Sequence, residues 1–181
     1  RGRKYYYVTP AGQTAVDRTL YRGRNTGDPF EKTRHKVYVE YLKRHLEREG
    51  FAVETYYEPM GGGMIYDVAG FIEETDETRR LRAVGEIVTN IRPELAVKHY
   101  DDMARNEGVL KLWVVKNSDA AHDLVRTLAQ AGRVDDVPYK SVRNYETISK
   151  ETFGDLSEWR IIGATNLIDA MDEHTDEEGE W

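Results

Sequence analysis

The sequence predicts an α/β fold, a mixed sheet with flanking helices in the order α-β-β-β-α-β-α across the centre of the chain. Three observations carry this. A long segment near residues 32–49 places apolar residues at helical spacing. Three strand-like segments follow it, separated by a glycine-rich turn and by a charged loop. A nearly continuous apolar run at 109–115 then lies between two further helical segments, as a sheet-interior strand does.

Each element has its own signal. Val39, Leu42 and Leu46 form the stripe of the first long helix, and Gly50 supplies its stop. Residues 51–57 alternate as a strand, and PMGGGM at 59–64 makes a flexible turn. Residues 65–72 form a second strand, the charged stretch 73–80 a hairpin loop, and 81–88 a third strand. Pro93 suits the first turn of a helix that runs to about Asn106, since it has no N–H to lose. Residues 119–131 form another helix, with Leu124 and Leu128 on one face. Past Gly132 the pattern weakens. Strands are expected at 137–142 and 159–162, and helices at 145–153 and 165–171. The expected domains are a basic strand-and-helix piece at 1–24, a linker at 25–34, the main domain at 35–171 and an acidic tail at 172–181.

Composition sets outer limits. The 181 residues suffice for one ordinary domain and a small appendage. A third of them are charged, but the apolar ones are gathered into periodic segments, unlike a disordered chain. The 33 acids exceed the 26 bases, giving a net charge of -7. That surplus keeps a surface well hydrated, suits a salty, halophilic interior and opposes indiscriminate phosphate binding. A local basic footprint stays open: residues 1–24 hold six Arg or Lys against the single acid Asp17. With no cysteine there are no disulfides, thiolate metal sites or thiol nucleophiles. No apolar run spans a membrane and no signal peptide is visible, so a cytoplasmic location is expected. The chain starts at Arg1 inside a motif, which suggests a piece of something longer.

Two acids interrupt strands. Asp67 follows Ile65 and Tyr66, and aspartate is a poor strand residue. It either faces solvent or serves a site. Glu86 interrupts AVGEIV, and Gly85 beside it leaves room for a close approach. The two strands are joined by a short loop and can be antiparallel neighbours, which brings the two acids together. Carboxylates so placed repel unless they share a proton or a cation. Mg²⁺ is the economical answer, being content with oxygen ligands and with one or two carboxylates, and Mn²⁺ is an alternative. Such a cation activates water and stabilises charge on a phosphoryl oxygen. Glu40, beside Val39 on the long helix, either supports that cation or belongs to a solvated face with Lys36, Lys43, Arg44 and Glu47 paired at i,i+4.

The stretch VEYLKRHLEREGFAVETYYEPMGGGMIYDVAGF, followed by LRAVGEIVTN, resembles the core of the archaeal Holliday-junction resolvase and restriction-endonuclease-like superfamily. That superfamily carries a helix glutamate, a strand aspartate and a Glu-x-Lys on the next strand. The resemblance implies a metal-dependent DNA endonuclease, often dimeric, with Glu40, Asp67 and Glu86 in those roles and Asp67 and Glu86 holding the metal. It covers about residues 35–115. Val88 stands where the family has its lysine, and it can neither orient water nor hold charge. Lys98 on the next helix is the candidate replacement, or else an ordinary surface lysine. His99 beside it titrates in a suitable range, though nothing in the sequence places it at the site. The triple glycine at 61–63 is not a P-loop, because no Gly-Lys-Ser/Thr follows. Residues 1–20, RGRKYYYVTPAGQTAVDRTL, resemble the last strand of a winged-helix domain and the helix after it. That likeness makes Arg1, Arg3 and Lys4 candidate phosphate contacts. The alternative to an enzyme is a DNA-binding or dimerisation module that kept the fold and lost the chemistry, and Val88 favours it.

Overall fold

A computed structural model of the chain describes residues 33–59, 63–75, 78–135 and 137–167. The elements are α1 (Thr33–Arg48), β1 (Ala52–Tyr57), β2 (Tyr66–Glu73), β3 (Arg79–Val88), α2 (Pro93–Ala104), β4 (Leu110–Val115), α3 (Ser118–Gln130), α4 (Tyr145–Phe153) and β5 (Trp159–Gly163). A helical turn over 164–167 follows β5. The predicted winged-helix remnant, the linker up to residue 32 and the acidic tail lie outside the described residues.

The five strands form one sheet in the order β1-β2-β3-β4-β5. The first three are antiparallel neighbours; β3–β4 and β4–β5 are parallel. This mixed pattern follows from the connections. Short loops join β1 to β2 and β2 to β3, whereas a parallel pair needs a crossover, supplied by α2 for one and by α3 with α4 for the other.

Strand periodicity sorts the core into two clusters. On β3, Ala83 and Ile87 pack with α1, whereas Val84 and Val88 pack with α2 and α3. On β4, Leu112 and Val114 face α1 while Trp113 and Val115 face the other helices. Burial on both faces explains why β4 reads as an unbroken apolar run. α1 contributes Tyr38, Val39, Leu42 and Leu46 to its side. Gly85 fixes how close α1 comes: a Cβ there would lie 2.5 Å from Leu42 Cδ2. Phe51 donates its N–H to Leu46 at 3.1 Å, and Gly50, with a φ of 89°, makes the left-handed turn between helix and strand.

Helix ends behave as their sequences dictate. Asn117 caps α3 by accepting from Ala120 N at 3.0 Å, and Asn144 caps α4 by accepting from Thr147 N at 2.9 Å. α2 begins with Pro93 and has no side-chain cap.

The strand expected at 137–142 does not form. Its described residues are a loop closed by a turn from Val142 N to Tyr139 O at 2.9 Å, and Tyr139 is 82 % exposed. Pro138 withholds a ladder donor, and the sheet edge is taken by β5 instead.

Candidate functional site: a carboxyl pair between two histidines

β2 and β3 part at the site. Their pairing runs to Val68–Gly85, and one further step of the same register sets Asp67 opposite Glu86. There the Ile87 N–H donates to Asp67 Oδ2 at 2.7 Å, so a side chain takes a ladder position. Distortion continues on β1. Tyr56 lies across from Asp67, between the pairs Thr55–Val68 and Tyr57–Tyr66, and has a φ of 53°. A bulky residue in that region is strained. Tyr66 and Val68, two apart on one strand, pack into opposite clusters, so β2 turns about its axis at Asp67. The Tyr66 hydroxyl donates to Asp102 O at 3.2 Å and accepts from Asn106 Nδ2 at 2.8 Å, which ties the start of β2 to the end of α2.

A histidine approaches each carboxyl from a different helix. His35 Nε2, on α1, is 3.0 Å from Asp67 Oδ1. His99 Nδ1, on α2, is 2.7 Å from Glu86 Oε2. Glu86 is the most enclosed of the four, its side chain 4 % exposed. Trp113 pairs with Glu86 across the parallel ladder, and its ring lies 6.4 Å from that of His99.

Burial governs the electrostatics. It pushes Glu86 well above the usual carboxylate range, and the Asp67 charge adds to this, as does a side-chain hydrogen bond between the two carboxyls. Burial pushes His99 down to about 4, against the opposing charges of Asp67 and Asp102, so its ring is neutral near pH 7. Among the buried side-chain polar atoms that have no hydrogen-bond partner are Glu86 Oε1, His99 Nε2, Asp102 Oδ2 and Trp113 Nε1.

The candidates from sequence separate into two groups. Asp67 and Glu86 come together. Glu40 does not join them: it is half exposed and accepts from Arg44 Nε at 2.8 Å, one helical turn on. It stands about 140° around the helix from His35, so the two cannot serve the same side. Lys98 is exposed and makes no ion pair among the described residues, although its charge lowers the neighbouring His99. It lines a groove of about 500 Å³ with Gly63, Glu94, Asp101, Asp102 and Arg105. Val88 is buried in the core beside α2. Arg1, Arg3 and Lys4 lie outside the described residues.

Two residues escaped the sequence reading, His35 as a site residue and His99 as a neighbour of Glu86. Their signal was positional. His35 precedes the buried Val39 by four, and His99 falls between the buried Ala96 and Met103 at spacings of three and four. Each histidine therefore lies on the sheet-facing stripe of its helix.

Among the described residues, no group of three or more His, Asp or Glu side chains is arranged to hold a metal ion. No family model, curated protein or solved structure matches this chain.

Proposed function

We propose that the domain is a metal-dependent endonuclease-like unit of restriction-endonuclease-like topology, acting on DNA phosphodiesters at Asp67 and Glu86. The observation that carries this reading is the carboxyl pair itself. Two acids face each other where two antiparallel strands part, and one of them is deeply buried with an oxygen that no donor satisfies.

A divalent cation fits this pair. It would replace the proton that Glu86 holds and satisfy Oε1. Asp67 and Glu86 would hold it, with water completing the shell, as Mg²⁺ or Mn²⁺ accepts. Bound there, such a cation lowers the pKa of a water and stabilises charge on a phosphoryl oxygen. The chain's own residues do the rest. Asp67 stays oriented through the Ile87 N–H and His35. Trp113, buried and paired with Glu86 across the parallel ladder, lies against the site on its β4 side. Lys98, exposed on the neighbouring groove, is the available cation for a phosphate of the substrate, and DNA held as by a homodimer is the partner this reading expects.

The test is cleavage of labelled duplex and branched DNA with Mg²⁺ or Mn²⁺. Wild type cuts under this reading and Asp67→Ala does not. Equal activity in both would refute it.

A second reading is favoured by one observation. No Lys or Arg among the described residues pairs with Asp67 or Glu86, and Val88 is core. On that ground the domain is a DNA-binding or dimerisation module without chemistry. Cation binding and DNA retention with no cleavage would select it.

A further inference from the structure

Asp67 and Glu86 need orientation as well as proximity, because a carboxylate turns about its last side-chain bond. Regular β2–β3 pairing ends at Val68–Gly85, and beyond it the backbone supplies part of that orientation, the Ile87 N–H donating to Asp67 Oδ2 at 2.7 Å and the Asp67 backbone bonding to the Glu86 carboxyl. Two side chains add to it. His35 reaches Asp67 Oδ1 at 3.0 Å from α1, and His99 reaches Glu86 Oε2 at 2.7 Å from α2. These helices belong to opposite faces of the sheet. We propose that His35 and His99 are paired positioning residues, each clamping one oxygen of one carboxylate so that the pair presents its other lone pairs to a shared divalent cation.

This rests on the cation-binding reading given above and deepens it. With a cation on the pair, both carboxyls are ionised and can only accept, so the contacting imidazole nitrogens, Nε2 of His35 and Nδ1 of His99, both donate. A carboxylate has about four acceptor positions, so one hydrogen bond per clamped oxygen leaves room for metal bonds. The geometry also fixes each clamp. The His99 ring is flanked by Trp113 and is mostly buried, and Glu86 Oε1 stays free of any donor. Hydrogen bonds of this kind to ligating groups typically contribute a factor of about 10–100 in metal affinity.

The clamps differ in which ring nitrogen they use, and this sets the test. An Asn amide nitrogen occupies nearly the place of a histidine Nδ1, and a Gln amide nitrogen that of Nε2. His99→Asn and His35→Gln therefore keep the donor, whereas His99→Leu and His35→Leu remove it. Mn²⁺ and Mg²⁺ are titrated calorimetrically into the full chain of each variant, with circular dichroism to verify folding. The clamp predicts a loss of about 10–100-fold in affinity for the leucine variants and near-complete recovery for Asn at 99 and Gln at 35. If a leucine variant does not fold, the exchanged pair His99→Gln and His35→Asn replaces it. These stay polar but misplace the donor, and they must weaken binding as well. Wild-type affinity in the donor-lacking or misplaced variants overturns the clamp while leaving the cation site standing. Absence of binding in wild type removes both together.

Discussion

The Ile87 N–H donates to Oδ2 of Asp67 at 2.7 Å, just beyond the last regular pair of β2 and β3. A ladder donor is spent on a side chain at the point where the two strands separate. The carboxyl of Asp67 is thereby fixed opposite Glu86.

Packing behind that place is tight. A Cβ on Gly85 would meet Leu42 Cδ2 at 2.5 Å. Gly85→Ala is therefore expected to destabilise the fold by about 1–3 kcal/mol, as overpacking does. It should also push α1, and His35 with it, away from Asp67. Urea denaturation measures the first effect and cation titration the second. An unchanged midpoint would show that α1 does not rest on Gly85.

Glu86 and His99 shape the pH dependence in opposite senses. Glu86 in the fold titrates well above its unfolded 4.5, so its contribution is complete below 4.5 and is lost as pH rises through the folded value. His99 in the fold titrates at about 4, below its unfolded 6.5, so its contribution is complete above 6.5 and is lost as pH falls through 4. Thermal midpoints measured with a chelator should fall at both ends. Glu86→Gln should remove the alkaline fall, and His99→Asn the acid one. Profiles parallel to wild type in both variants would contradict these assignments.

Cation binding should carry the same signature. The cation displaces the proton on Glu86, so affinity should weaken as pH drops below the raised Glu86 value. Proton release on binding, read as a buffer-dependent heat, measures this directly. A heat independent of the buffer would place the cation elsewhere.

Glu40 offers a contrast with the superfamily pattern. It is half exposed and its partner is Arg44 on the same helix. Glu40→Ala should change stability by no more than about 0.5 kcal/mol and leave cation affinity untouched. Loss of cation binding in this variant would bring Glu40 back to the site.

Much of the fold was legible because it is written in periodicity. Val39, Leu42 and Leu46 announce α1, the apolar run of β4 announces a strand covered on both sides, and the two acids stand out as poor strand residues. The residues 137–142 misled because Val137, Tyr139 and Val142 alternate like a strand, while pairing depends on a free edge that β5 occupies. Glu40 was left open between a site and a solvated face paired at i,i+4, and its ion pair with Arg44 is the second. Adjacency to a buried Val39 says nothing about direction, since a single helical step turns the side chain by about 100°. His35 and His99 were hidden because their partners are distant in the chain, and only the crossing of two helices over one strand pair brings them in.

The most direct test of the account is calorimetric titration of Mn²⁺ or Mg²⁺ into wild type and Asp67→Ala at neutral pH. A single site in wild type, lost in the variant while the fold is kept, is the expected result. No binding in either protein, or equal binding in both, would contradict the claim that Asp67 and Glu86 form a cation site.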